Sequence, residues 1–321
     1  MLPMGELVDR ARWTARNQGL STLVLKALRY PVKPFFVPGA LRTLHDGRRR
    51  VDSLSELYEF VNGFNYRGIT ITSWQKKAEI VDLLRLLERA RPRRVAEIGT
   101  ANGGTLFMLT QIAAPDATIV SVDLPGGKLG GVSSSARHRY PWWRGRLYRG
   151  FAREDQSVHV LRADSGDVST VEGVRPRLPG GEVVFLFIDG DHSYEGVRRD
   201  FELYSALVAA GGLVAFHDIV QTRPGGHGDP GDVPAFWSEV RNHRRVVAEF
   251  VEDWQWGSCG IGSFGSEPRP GSIEPKLISS GHGCTRTGSQ GLPQPASQTS
   301  GSRRSGTRRT FARKPRVPAF R

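Results

Sequence analysis

Between residues 75 and 265 short apolar runs alternate with helical periodicity. Gln75 to Arg89 places Ile80, Val81, Leu83, Leu84, Leu86 and Leu87 among charges, which predicts a helix with one buried face, ended by Pro92. Val95-Ala96-Glu97-Ile98 reads as a strand, followed at once by a glycine-rich turn and a helix from Thr105 to Ala113. Further strands are expected at Thr118–Val122, Val158–Leu161, Val183–Ile188 and Leu213–Phe216. The run at 183–188 is apolar throughout, as in a strand covered on both faces. Tyr194 to Ala209 reads as a helix capped by Gly211-Gly212. Residues 245–251 and 261–264 suit a closing antiparallel pair. Strand, turn and helix repeated in this order predict an α/β fold with a doubly wound, mostly parallel sheet.

Upstream, Pro31, Pro34 and Pro38 are expected to break any long helix. Ser53 with Glu56 three residues on is a capping-box pattern for a helix to Val61. Leu20 to Tyr30 reads as a short amphipathic packing helix. Asp9, Arg10, Arg12 and Arg16 interrupt any signal-peptide core, and no apolar run is long enough to span a bilayer. Residues 266–321 are rich in Gly, Ser, Pro and Arg, a composition that cannot offset ordering entropy, so a disordered basic tail is expected. Three regions result: a partly helical extension over 1–70, an α/β domain over 71–265 and the tail.

The formal net charge of +13 at first suggests a nucleic-acid partner. The tail alone carries 11 Lys and Arg against 2 Asp and Glu, so the body is only mildly basic. No stable nucleic-acid complex is expected. Two cysteines, Cys259 and Cys284, make neither a disulfide framework nor a zinc pair, which suits a reducing cytoplasm.

The informative polar residues fall where strands end: Glu97, Asp123, Asp164, Asp189 and His217-Asp218. Open parallel sheets bind ligands beyond those ends. Gly99, Gly103 and Gly104 allow a sharp bend and close approach, and the following helix offers N–H groups to an anion. Asp123 closes the second strand, where a carboxylate can accept both ribose hydroxyls. A nucleoside-containing cofactor follows. The spacing is not G-x-G-x-x-G, which argues against a nicotinamide dinucleotide.

Glu97-Ile98-Gly99-Thr100-Ala101-Asn102-Gly103-Gly104 resembles the first motif of the class I S-adenosylmethionine (SAM) dependent methyltransferases. The blocks from Phe187 to Gly196 and from Gly211 to Asp218 are similar to the branch called methyltransferase family 24. That branch neighbours the cephalosporin-hydroxylase-like and macrocin-type O-methyltransferases. The resemblance covers about residues 71–265. It implies a Rossmann-like fold and a cofactor site of Glu97, Gly99, Thr100, Ala101, Asn102, Gly103, Asp123, Leu124, Asp164, Ser165 and Asp189. Asp123 takes the ribose and Asp164 the adenine side.

Methyl transfer to a hydroxyl needs the acceptor's proton removed, by a base or with a metal's help. Asp189, Asp191, His192, His217 and Asp218 converge at the fourth and fifth strand ends. One arrangement is a divalent metal such as magnesium on Asp189, His217 and Asp218, as the catechol-type enzymes imply, although a nitrogen ligand suits magnesium poorly. Another has His192 or His217 as base beside Asp189. A third has these groups simply bonding the loops that shape the pocket. The segment from Leu124 to Asp155, with Tyr140, Trp142, Trp143, Tyr148, Phe151, Arg137, Arg139, Arg144 and Arg146, is expected to be an acceptor-binding lid. Residues 221–232 are expected to border the same side. The expected activity is O-methylation of a small molecule or sugar. A NAD-dependent oxidoreductase and a tail-driven, non-catalytic RNA-binding module are the alternatives, and a homo-oligomer is left open.

Overall fold

The computed structural model describes residues 12, 15–17, 19–21, 32–124, 141–221, 231–243, 246–252 and 260–265. The basic tail, most of the expected Leu20–Tyr30 helix, residues 125–140 and residues 222–230 lie outside them. No described helix is long and apolar enough to cross a membrane.

Two helices precede the sheet. Helix α1 spans Lys33–Arg48 without a break, despite two prolines. Pro34 lies in the first turn, where no N–H is needed, and Pro38 forgoes a single bond within a helix anchored by buried Val37, Ala40 and Leu44. Packing thus overrides the proline rule applied to the sequence. Helix α2, Leu54–Gly63, starts as expected, with Ser53 Oγ accepting from Glu56 N at 3.2 Å. The Glu56 carboxylate returns to Asp52 N at 2.9 Å, one residue before the cap. A two-stranded hairpin follows, β1 (Asn65–Tyr66) and β2 (Ile69–Thr70). Arg67 and Gly68 both take positive φ, as a tight hairpin turn requires. Helix α3, Lys77–Ala90, buries the predicted Ile80, Val81, Leu83, Leu84 and Leu87.

The main sheet is built from β3 (Arg94–Ile98), β4 (Thr118–Val122), β5 (Ser157–Leu161), β6 (Val183–Ile188), β7 (Val208–His217), β8 (Val246–Phe250) and β9 (Ile261–Gly265). Their order is β5-β4-β3-β6-β7-β9-β8, and β9 runs antiparallel to both its neighbours. Helix α4 (Gly104–Ile112) follows β3, α5 (Arg144–Arg149) precedes β5, α6 (Val168–Val174) follows β5, α7 (Tyr194–Ser205) follows β6, and α8 (Val233–His243) precedes β8.

Strand side chains alternate between two cores. Val95, Ile119, Phe185, Phe187, Leu213 and Ala215 join α1 to α5 in one. Ala96, Val120, Leu186, Ile188, Val214 and Phe216 join α6, α7 and α8 in the other. Coverage on both faces explains why β6 reads as an unbroken apolar run. The doubly wound, mostly parallel sheet expected from the sequence is therefore observed.

Two boundaries differ. Helix α7 ends at Ser205, and Gly211-Gly212 lies inside β7 rather than capping the helix. Register with β6 shifts between Val183 and Phe185, and Gly211 has φ +74°. The glycine pair therefore forms a strand irregularity.

Order reverses between β3 and β6, which opens the crevice at their carboxyl ends. The segment Thr72–Gln75 laces across this region. Gly104 N donates to Thr72 O at 3.1 Å, and Asn102 Nδ2 donates to Thr72 Oγ1 at 2.7 Å. A Cβ on Gly104 would stand 2.3 Å from the Thr72 carbonyl carbon. Gly104→Ala should therefore cost about 1–3 kcal/mol, read as a lowered urea midpoint. An unchanged midpoint would mean that Thr72–Gln75 is not held this closely.

Candidate active site at the sheet switch point

The bend after β3 is fixed by steric demand. Gly99 has φ +97°, and a Cβ there would lie 1.9 Å from the Asp189 carbonyl oxygen. Hydrogen bonds from Gly99 N to Val122 O and from Asp189 N to Ile98 O, both 2.8 Å, draw three strand ends together. Ala101 takes φ +45°, uncommon for a residue with a Cβ, and Gly103 takes φ +81°. Gly103 N donates to Thr100 O at 2.8 Å. The N–H groups of Gly103 and Gly104 are thus bonded within the protein.

Under the bend lies a buried polar chain. Ser121 Oγ donates to Glu97 Oε2 at 2.5 Å and lies 2.5 Å from Thr100 Oγ1. Glu97 has no exposed surface, and its Oε1 has no hydrogen-bond partner among the described residues. Burial pushes its carboxyl up to about 8, with the Asp189 and Asp123 charges adding to the shift against the Ser121 bond. Glu97 and Thr100 therefore support the bend from below, while Gly99, Ala101 and Asn102 retain partial exposure. Burial also lifts Asp123 to about 7, against the Ala101 N–H that it accepts and the nearby Arg162. Leu124 is exposed beside it.

Asp164 and Ser165 follow β5. Asp164 is exposed and accepts from Gly166 N at 2.9 Å. Ser165 donates to Asp200 of α7, a buried carboxyl raised to about 7 by desolvation and also held by the Asp191 N–H.

The ends of β6 and β7 bring four side chains together. His217 Nδ1 lies 3.1 Å from Asp189 Oδ1 and 3.2 Å from Asp218 Oδ2. His192 spans the same pair, with Nε2 3.5 Å from Asp189 Oδ1 and Nδ1 3.2 Å from Asp218 Oδ2. Donor atoms of Asp189, His192 and Asp218 all lie within 4.8 Å of one another. The nitrogen of this group is His192's, where the sequence suggested His217's. His217 is more deeply buried, and its Nε2 has no hydrogen-bond partner among the described residues. The two carboxylates raise His192 to about 9 and His217 well above its ordinary value, both against desolvation. Asp189 is held well below the usual carboxylate range by the histidines despite its burial. Asp218 has φ +60°, and strain of this kind clusters at functional sites. Asp191 is exposed and accepts from Ser193 N at 2.9 Å.

Nothing in the residue pattern singles out Gln75. Its Oε1 accepts from the hydroxyls of Ser73 and Thr105, the latter at 2.6 Å, and its Nε2 donates to Asp189 Oδ2 at 2.6 Å. Two donors on one amide atom fix which way the group faces. Glu79 is equally silent in the sequence. Its buried carboxylate accepts from Glu252 N at 3.2 Å and Gly260 N at 2.9 Å, pinning both ends of the β8–β9 connection. Neither residue obeys a spacing rule, because Asp189 for Gln75, and Glu252 and Gly260 for Glu79, lie more than 100 residues away.

Part of the segment expected to be an acceptor lid belongs to the core. Arg137, Arg139 and Tyr140 lie outside the described residues. Trp142 is exposed, but Trp143, Tyr148 and Phe151 are buried in the core shared with α4. Their rings pack on protein and are closed to an acceptor.

This strand order, with a glycine bend after β3, is typical of the class I methyltransferase fold. Residues 96–219 match the family described as a methyltransferase domain (Methyltransf_24). It is 27% identical over 165 residues to an uncharacterized protein, y4gI, of Sinorhizobium fredii, covering 48% of this chain. The chain spans 16% and 20% of the lengths of the curated relatives it matches. Among solved structures it is similar to the O-methyltransferase TomG from Streptomyces achromogenes, solved with SAM, at 19% identity and TM-score 0.41, covering 66% of this chain and 89% of that one. MycE of the mycinamycin pathway, solved with magnesium, S-adenosylhomocysteine (SAH) and mycinamycin VI, gives 19%, 0.41, 68% and 54%.

Proposed function

We propose that the chain O-methylates a hydroxyl on a small molecule or sugar, with SAM lying across the Gly99–Gly103 bend. The observation that carries this is the joining of that bend to the Asp189–His192–His217–Asp218 cluster through one backbone contact, Asp189 N to Ile98 O at 2.8 Å. A sulfonium on the bend would face the cluster across the crevice. Asp123 would accept the ribose hydroxyls, Leu124 would cover one face of the adenine, and Asp164 with Ser165 would border its edge.

In the reaction the acceptor oxygen forms a bond to the methyl carbon as the carbon–sulfur bond breaks, and the hydroxyl proton leaves to a base. Positioning supplies much of the rate. The pair Asp189 and Asp218, with His192 between them, also fits a divalent cation, because two oxygens and one imidazole nitrogen converge within 4.8 Å. That donor set suits manganese, cobalt or zinc better than magnesium. A bound cation would lower the acceptor hydroxyl's pKa. The two carboxylates raise His192 to about 9, so that proton must leave before His192 acts either as a base or as a cation ligand. Gln75 holds Asp189 Oδ2, leaving Oδ1 toward the histidines.

Two titrations test this. Calorimetry should show SAH binding to the wild type, and failure to bind would remove the cofactor assignment. Manganese should bind with release of about one proton, read from buffers of different ionisation enthalpy, because cation and proton compete for His192. Binding without proton release, or none, would remove the cation assignment.

A further inference from the structure

Building on the cofactor assignment above, we propose that Tyr148 and Arg144 are positioning residues that hold the cofactor bend in its binding shape from behind. Ala101 is restrained at both ends: its N–H goes to the Asp123 carboxylate, and its carbonyl accepts from Tyr148 Oη at 2.8 Å. The next carbonyl, of Asn102, accepts from Arg144 at 3.2 Å, and the same guanidinium donates to Tyr148 Oη at 3.2 Å. The Tyr148 ring fills the space beside Gly103, where a Cβ would stand 2.4 Å from it. Three consecutive residues of the bend, two of them at positive φ, therefore rest on two side chains of α5.

The support is itself firmly mounted. Phe151 packs edge-on against Phe107 of α4 with centroids 5.2 Å apart. His45 of α1 lies 2.9 Å from Gly150 O. Arg144 sits over the Trp143 ring at 5.4 Å and is almost wholly buried. Burial pushes the Tyr148 hydroxyl up to about 12, so it remains a donor throughout the physiological range. The described half of the segment between β4 and β5 thus carries a role in the cofactor's grip, distinct from contact with the acceptor.

A left-handed alanine needs holding, whereas a glycine adopts that conformation freely. The test is a cycle read by calorimetry with SAH as the probe. Tyr148→Phe should weaken SAH binding about tenfold, and Arg144→Met should weaken it in the same direction. In an Ala101→Gly background, Tyr148→Phe should weaken it less than about threefold. Phe151→Leu, a core change just beyond the same helix, should lower thermal stability while leaving SAH affinity unchanged. Wild-type binding with an unaffected Tyr148→Phe overturns this inference alone. So does an equal loss in both backgrounds, or a Phe151→Leu loss matching that of Tyr148→Phe. A wild type that binds no SAH overturns the cofactor assignment and this inference with it.

Discussion

Gly99→Ala is expected to abolish SAH binding and to lower stability by at least about 3 kcal/mol. Two penalties combine. At φ +97° a side chain strains the backbone wherever it is placed. In addition, the new Cβ meets the Asp189 carbonyl oxygen at 1.9 Å and its carbon at 2.6 Å, atoms that no rotamer change can move. Relief requires β3 and β6 to part at the point where Asp189 N bonds Ile98 O. Gly68→Ala is the control. It carries the same kind of strain at φ +79°, but its nearest neighbour is the flexible end of Lys33 at 3.5 Å. It should cost about 1 kcal/mol and leave SAH affinity intact. Urea melts and calorimetry on both variants decide the matter. A Gly99→Ala protein that binds SAH within about threefold of wild type would mean the bend does not hold the cofactor.

The sheet is legible in the sequence because its strands are short apolar runs that stop at an acid or histidine, and local patterning alone marks both. Gly99 and Gly103 are legible for a related reason, since positive φ beside a strand end leaves a glycine signature. Gln75, Glu79, Arg144 and Tyr148 are not. Their meaning arises from partners 114, 173, 42 and 47 residues distant, and no window along the chain contains both ends of such a contact. The aromatic segment before β5 misleads because Trp and Tyr suit a ligand and a core equally well, and only burial separates the two. Pro38 and Gly211-Gly212 show the opposite limit. Local rules predict a break and a cap, but packing of α1 and the irregular β6–β7 register decide otherwise.

Glu97 leads to the second large effect, a stability that falls as pH rises. Its carboxyl has an ordinary value near 4.5 in the unfolded chain and about 8 in the fold, chiefly from burial. Between those values the native state binds the extra proton, so stability declines across that window and the full cost stands above it. Asp123 and Asp200, both raised to about 7, act in the same sense above the ordinary aspartate range. His192, raised to about 9, contributes stability that is complete below about 6.5 and is lost as pH passes 9. Asp189 opposes them only in acid, because its depressed value removes stability as pH falls below the carboxylate range. The ligand-free protein should therefore be most stable near pH 4 and lose several kcal/mol by pH 9, at roughly 1.4 kcal/mol for each tenfold change in proton affinity between the folded and unfolded chain. Glu97→Gln isolates the largest share. Its amide can donate to Ser121, which then bonds Thr100, while its carbonyl takes the place of Oε1 that lacks a hydrogen-bond partner among the described residues, a lesser cost than an orphaned N–H. The variant should match wild type near pH 4, exceed it at pH 9 and show a flatter slope between. Urea midpoints across this pH range supply the comparison, and parallel slopes for the two proteins would show that Glu97 ionises in the fold as readily as in water.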